Sequence, residues 1–173
     1  PEGTYNEMMA LNGIVGKADQ MMDHIDAWGD PTTFPHFAIG WAWAGNTPLK
    51  STKLVAAHFG GTRSPMAISW PAKVKPDSVA RAQFHHVNDI APTLFEVIGI
   101  KPPKVVDGHE QDPMDGVSLA YTFADAAAPD RHTTQYFEMY GNRGLYHDGW
   151  SAVTLHNIPF HPQPLAWEDE VWE

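Results

Sequence analysis

The most regular hydrophobic pattern lies in residues 85–100, HHVNDIAPTLFEVIGI, and it predicts a helix. Asn88 or Asp89 is a suitable N-cap. Pro92 falls in the first turn, where its missing N–H does little harm, and Gly99 ends the helix. The predicted buried face consists of Ile90, Leu94, Val97 and Ile98, with Phe95 beside it.

Shorter helical patterns occur elsewhere. Residues 18–28 place apolar side chains on one face and end before Gly29, while residues 50–58 have room for two turns and residues 117–123 for a short helix. A helical turn is also expected within residues 6–11. Residues 30–48 are rich in proline and tryptophan and predict an ordered loop. The apolar face of the 18–28 helix consists of Met21, Met22, Ile25 and Trp28.

Alternation of apolar and polar residues predicts strands, mostly near the end of the chain. PMAISW, residues 65–70, is a strand candidate that Pro71 closes. Three further candidates start at residues 133, 144 and 150, separated by glycine-containing turns at 141–144 and 147–149. They predict a three-stranded antiparallel meander.

Composition narrows the class of protein. The 173 residues carry 21 acids against 11 bases, a formal net charge of -10, which argues against a nucleic-acid partner. No run of about 18 apolar residues predicts a membrane span. The absence of cysteine excludes disulfides and thiolate chemistry within these residues. The N-terminus resembles neither a signal peptide nor a natural start, so the sequence leaves a periplasmic or a cytoplasmic location open.

No self-contained catalytic motif is present. The sequence lacks a P-loop, GxGxxG, GxSxG and HExxH. His85 and His86 are adjacent, and because neighbours on an extended chain point to opposite sides, they are expected to be hydrogen-bonded structural histidines rather than metal ligands. Four acids share one loop without EF-hand spacing, so no metal site is predicted: Asp107, Glu110, Asp112 and Asp115.

The stretch from Lys50 to Trp70 contains the most suggestive polar residues. Its Gly60-Gly61 pair permits a sharp turn or a close approach of two backbones, and Arg63 suits an oxyanion or a carboxylate. Lys53 and His58 lie just upstream. Trp41 and Trp43, in GWAWAG, are either packed or form an aromatic wall beside a substrate.

Five ordered motifs resemble the type I sulfatases, in particular the bacterial arylsulfatase branch of the alkaline phosphatase superfamily. They are GWAWAGNTP, K…HFGGTR…SWP, HHVNDIAPTLFEVIGI, DGVSLAYTF and QYFEMYGNRGLYHDGW. The resemblance covers nearly the whole chain and corresponds to the later part of such an enzyme. The chain is therefore expected to be truncated at both ends, after an Asp-Asn-Gly metal motif and within a WELY segment.

The resemblance implies an α/β fold, a fragment of the alkaline-phosphatase-like sandwich plus a small antiparallel sheet. Residues 1–105 would end the large domain, and residues 106–173 would form an incomplete C-terminal subdomain. The strands would then have open edges, which pair readily with other chains. We expect a dimer or an aggregate if the chain is expressed alone.

The resemblance also implies the chemistry. The family hydrolyses sulfate esters with a formylglycine nucleophile and a calcium ion, and neither the CxPSR motif nor the metal-binding acids occur in this chain. The isolated chain is therefore expected to be inactive. Lys53 matches the late catalytic lysine, which contacts a sulfate oxygen, with Lys50 as the competing position.

The remaining assignments are less direct. His58, Trp41 and Trp43 are expected to line the substrate entrance, and Arg63 to anchor an acid. Two alternatives stay open: a phosphonate or phosphodiester hydrolase of the same superfamily, and a non-catalytic glycan-binding module that uses the tryptophan loop.

Overall fold

The computed structural model describes residues 12–14, 17–33, 37–157 and 165–173. The helical turn expected at residues 6–11 lies outside them. The α-helices are α1 (Ala18–Met22), α2 (Ile39–Asn46), α3 (Phe59–Thr62) and α4 (Ile90–Ile98). Short 3-10 helices span Ile25–Ala27, Val87–Asp89, Ala120–Thr122 and Trp167–Asp169. The strands are β1 (Val105–Val106), β2 (His109–Glu110), β3 (Thr134–Met139), β4 (Asn142–His147) and β5 (Trp150–Thr154).

The predicted helix at residues 85–100 is confirmed as α4, preceded by a 3-10 turn. Gly99 ends it in the left-handed region, with φ 73°. Its predicted buried face is wrong: Leu94 is 54% exposed and Ile98 58% exposed. The helix instead buries Thr93, whose hydroxyl donates to the Asp89 carbonyl at 2.6 Å and accepts the Leu119 N–H at 2.8 Å. The helix is therefore anchored by the hydrogen bonds of Thr93 and not by burial of the predicted apolar face.

The predicted meander is confirmed, with strand order β3-β4-β5. Both connections are two-residue turns in the left-handed region, Tyr140-Gly141 and Asp148-Gly149, as expected for tight hairpins. The first turn was predicted at 141–144 and lies one residue earlier, so Asn142 begins β4 instead of forming the turn.

A second hairpin was not predicted, because residues 101–115 are rich in proline and glycine. Strands β1 and β2 pair antiparallel around Asp107-Gly108, with φ 49° and 83°. These angles are those of a primed turn, and Asp-Gly is a preferred sequence for it. The Asp107-Gly108 pair was therefore a usable sequence signal for this hairpin, whose strands are only two residues long.

Other predicted elements differ from the structure. Residues 39–46 form helix α2 inside the expected loop. Residues 50–58 are not helical, because Ser51 and Leu54 have positive φ, which a right-handed helix excludes. Residues 65–70 join no sheet among the described residues. In the 18–28 segment the helix ends at Met22, and only Met21 of the predicted face is buried. The helix expected at 117–123 is a single 3-10 turn.

The chain divides into two compact units. The first comprises Pro1–Ser64, Glu138–Arg143 and Thr154–Val171, and the second Pro65–Phe137, Gly144–Val153 and Trp172–Glu173. Mixed helices and small antiparallel sheets agree with the predicted α/β class of a fragment. The domain boundary at residue 105 concerns a whole enzyme and stays a prediction. No helix among the described residues is long and apolar enough to cross a bilayer.

Candidate functional site

Lys53 lies in the first unit on a loop that we call the lysine loop, residues 50–58. Residues on either side of it are buried: Thr52 before it, and Val55, Ala56 and Ala57 after it. Val55 retains 1% of its surface. Lys53 itself is exposed. The loop is therefore anchored in the core through its neighbours and presents the lysine outward.

Two non-glycine residues of the lysine loop adopt left-handed backbone conformations. Ser51 has φ 72° and Leu54 φ 80°, so they flank Thr52 and Lys53. Each such conformation costs about 1–3 kcal/mol and persists only where surrounding contacts enforce it. In both residues the carbonyl oxygen accepts a hydrogen bond from a side-chain amide. Asn46 Nδ2 donates to Ser51 at 3.0 Å, and Asn142 Nδ2 donates to Leu54 at 3.1 Å.

The Gly60-Gly61 pair closes the loop by close approach rather than by a turn. The Gly60 N–H donates to the Lys50 carbonyl at 2.8 Å, and the Gly60 carbonyl accepts Asn46 Nδ2 at 3.0 Å. A Cβ on Gly60 would overlap the Ser51 carbonyl oxygen, and one on Gly61 would overlap that of Val55. Glycine is therefore required for the contact itself, not for an unusual φ.

Asn142 is a buried junction in the same unit, with 1% of its surface exposed. While its amide nitrogen binds the lysine loop, its Oδ1 accepts the N–H groups of His156 at 3.0 Å and Asn157 at 2.9 Å. The His156 ring stacks on Trp167 at 3.7 Å, and its Nδ1 lies 2.6 Å from a Glu170 carboxylate oxygen. These contacts form a polar cluster around Asn142, next to the Leu54 end of the lysine loop.

The other predicted site residues lie around this loop and on helix α2. His58 is half-buried and caps helix α3, with its carbonyl accepting the Gly61 N–H at 2.9 Å. Trp41 is 72% exposed and lines a shallow depression of about 390 Å³, which Trp43, Lys53 and His58 do not line. Trp43 is 49% exposed. The entrance role of these three residues stays a prediction.

The remaining polar residues between Lys50 and Trp70 have defined places. The Lys50 side chain is exposed, like that of Lys53, while its carbonyl is used in closing the loop. The Arg63 guanidinium lies 5.8 Å from the centroid of the Phe59 ring. The acid partner expected for Arg63 stays a prediction.

The described residues do not fit the cofactors that the resemblance implies. They contain no group of three or more histidine, cysteine, aspartate or glutamate side chains arranged to hold a metal ion. The sequence has no cysteine and no Ser-x-Pro-x-Arg from which a formylglycine could be made. A formylglycine would therefore have to come from residues outside this sequence, and the described residues by themselves offer no such group for a calcium ion.

A second buried junction, in the second unit, is formed around Asp89 and includes the adjacent pair His85 and His86. The Asp89 side chain is fully buried and accepts the N–H groups of His86 at 2.8 Å and Val117 at 2.7 Å. His132 Nδ1 lies 2.8 Å from the same carboxylate. His85 and His86 face separate rings, Tyr121 and Phe137 respectively, so the adjacent histidines do diverge.

His85 differs from an ordinary structural histidine. Neither of its ring nitrogens has a hydrogen-bond partner among the described residues. Burial lowers the pKa of His85, because it disfavours the charged ring more than the nearby carboxylates of Asp89 and Asp130 favour it. The hydrogen bonding expected for this histidine is therefore absent from the described part of the chain.

Two curated proteins are similar to parts of this chain. An arylsulfatase of Klebsiella aerogenes is 29% identical over 122 residues, which are 70% of this chain and 25% of that protein. A sulfatase of Formosa agariphila is 38% identical over 77 residues, 43% of this chain and 13% of that protein. This chain is similar to part of a sulfatase. The resemblance seen in the ordered motifs is thereby confirmed.

The chain corresponds to only a small part of each of these two proteins. It spans about a quarter of the length of the first sulfatase and about an eighth of the second. No protein-family model matches the chain. The activity, substrate and partners of the whole protein are therefore matters for proposal.

The sequence did not reveal the residues that hold the lysine loop. Asn46 ends a helix inside what appeared to be a loop, and Asn142 was assigned to a turn. Each asparagine directly follows a glycine, a pattern common to many surface turns. Only their side-chain bonds to the loop carbonyls, over 5 residues for Asn46 and 88 for Asn142, distinguish them.

Proposed function

We propose that this chain is part of a sulfate ester hydrolase of the arylsulfatase type, in which Lys53 contacts an oxygen of the bound sulfate group. The observation that carries the proposal is the presentation of Lys53, an exposed lysine on a loop whose backbone is hydrogen-bonded at Ser51 and at Leu54, on either side of it. Similarity to two sulfatases supports the reaction class.

The role of Lys53 follows from its charge. Cleavage of the S–O bond builds negative charge on the leaving oxygen and redistributes it over the sulfate group. An ammonium held in place offsets this charge without reorganising during the reaction, and groups of this kind contribute about 3 kcal/mol to transition-state stabilisation. The nucleophile and the calcium ion expected from the family lie outside this chain, which on its own should not turn over sulfate esters.

The test uses the longest natural gene product that contains this sequence, assayed with p-nitrophenyl sulfate. Lys53→Ala should lower kcat/KM about 100-fold and weaken inhibition by inorganic sulfate, because one oxyanion contact is lost. Lys50→Ala is the matched control and should retain activity within about twofold. If Lys50→Ala causes the loss and Lys53→Ala does not, the assignment is reversed.

The same assay decides between reaction classes and tests the entrance residues. Turnover of p-nitrophenyl phosphate diesters or phosphonate esters, with none of sulfate esters, would overturn the proposed function in favour of a sister enzyme. Trp43→Ala should raise KM for aryl sulfates with little change in kcat, since the ring would contact the substrate equally before and during reaction. Unchanged kinetics would exclude Trp43 from the entrance.

A further inference from the structure

We propose that Asn46 and Asn142 are positioning residues for Lys53. They act through the backbone of the lysine loop and do not touch the substrate. The inference rests on the proposed role of Lys53 as a sulfate contact. It adds two residues that lie 7 positions before and 89 positions after the lysine in the sequence, and that meet the loop at two separate carbonyl groups.

The first step is the backbone of the loop. Ser51 and Leu54 are held in conformations that side chains with a Cβ rarely adopt, with φ 72° and 80°. Without restraint, each would relax toward negative φ. Rotation at either residue redirects the Thr52-Lys53 segment between them, so the direction of the lysine depends on both being held.

The second step is the placement of the two amides. Each left-handed residue has its own carbonyl bonded to an asparagine Nδ2, Ser51 to Asn46 and Leu54 to Asn142. These bonds restrain the Ser51–Thr52 and Leu54–Val55 peptide planes, which lie at the two ends of the segment from Thr52 to Leu54. The loop is thus held at the two points where its backbone is strained.

The third step is that the chemistry requires an amide at each position. The Asn142 side chain donates to one carbonyl through Nδ2 and accepts two N–H groups through Oδ1, so its orientation is fixed by its partners. Asn46 Nδ2 donates to two carbonyls, those of Ser51 and Gly60. An ionised aspartate of the same shape only accepts hydrogen bonds and cannot donate to these carbonyls.

The experiment is a pair of double-mutant cycles in the same gene product. Asn142→Asp keeps an acceptor for the two N–H groups and replaces the donor to Leu54 by a carboxylate oxygen, which also introduces a negative charge. Asn46→Asp makes the same change at the donor to Ser51 and Gly60. Each is combined with Lys53→Ala. Gln111→Glu is the matched control, because it removes a side-chain amide bond to the His109 carbonyl in the exposed β1–β2 hairpin.

Each asparagine variant should lower kcat/KM for p-nitrophenyl sulfate about tenfold and raise the inhibition constant of inorganic sulfate, since a displaced lysine loses its contact geometry. In the Lys53→Ala background the same substitutions should change kcat/KM by less than about twofold. Gln111→Glu should leave both constants unchanged in either background.

The outcomes separate the two proposals. If Lys53→Ala has no effect, the proposed function fails. If Lys53→Ala has its effect but both asparagine variants are as active as the parent, or lower activity equally in both backgrounds, the positioning role fails. Asn46→Asp decides the matter if Asn142→Asp does not fold. Failure of both variants to fold contradicts the inference, because the amides would then serve the fold rather than the lysine.

Discussion

Asn142 in the first unit and Asp89 in the second are both almost completely buried, and the side chain of each binds three partners. All three partners of Asn142 are distant in the sequence, namely Leu54, His156 and Asn157. Asp89 binds one near neighbour, His86, and two distant residues, Val117 and His132. Their chemistry differs. The amide of Asn142 donates once and accepts twice, and it carries no charge. The carboxylate of Asp89 only accepts, so its partners must all be donors, and one of them is a histidine.

The difference indicates how each junction responds to its surroundings. The Asn142 amide itself carries no titrating group, although the His156–Glu170 pair is bonded beside it and His58 lies in the lysine loop. The Asp89 junction instead buries a carboxylate that contacts His132 directly. The hydrogen bonds to the Ser51 and Leu54 carbonyls are therefore made by neutral amides, whereas the Asp89 junction includes an acid and a histidine.

The largest effect is expected at Asp89. Asp89→Asn places an NH2 group among donors and leaves at least one of the buried partners unsatisfied, at a cost of about 4 kcal/mol. Thermal-shift measurements on the gene product should show a clear drop, with faster hydrogen exchange at the Val117 amide. Asn88→Asp, on a neighbouring half-buried side chain with a weak 3.5 Å contact, should cost less. Equal losses would contradict the central role of Asp89.

A smaller effect is expected at Gly60. A methyl group there meets the Ser51 carbonyl oxygen, so Gly60→Ala must move backbone and should cost about 2–3 kcal/mol. It should also reduce sulfate ester hydrolysis, because the same carbonyl is bonded by Asn46. Gly45→Ala, in helix α2 with open space around it, is the control and should gain about 1 kcal/mol. A tolerated Gly60→Ala would show that the loop is not closely packed.

The smallest effect is the pH response of the second unit. Because burial lowers the pKa of His85 from its ordinary 6.5, the unfolded state binds more protons as pH falls through that value. The contribution of His85 is thus complete above pH 6.5 and declines as pH falls toward its lower folded pKa. Hydrogen exchange in residues 85–93, corrected for intrinsic rates, should increase between pH 7 and pH 5.

Two substitutions make this pH test specific. His85→Gln should flatten the response, because it removes the titrating ring. His147→Gln, on an exposed histidine beside Asp148, should not change it. A pH response that His85→Gln leaves unchanged would contradict the role of His85.

Local chemistry alone was enough for several elements. Helix α4 with Gly99 at its end and the meander with its Asp148-Gly149 turn were predictable, because helix caps and two-residue turns depend on residues next to one another. The ordered motifs also predicted the similarity to sulfatases and singled out Lys53. These signals do not depend on knowing which distant residues meet.

The tertiary structure alone decided how Lys53 is held. Ser51 and Leu54 carry no sequence sign of positive φ, since neither is glycine or asparagine, and isolated chains disfavour that conformation. In the folded chain the Leu54 carbonyl accepts a hydrogen bond from Asn142, which lies 88 positions away in the sequence. The sequence by itself narrowed the expected sulfate contact to Lys53, with Lys50 as the competing position. The setting of Lys53 depends on one short-range bond, from Asn46 to Ser51, and one long-range bond, from Asn142 to Leu54, that no local sequence pattern reveals.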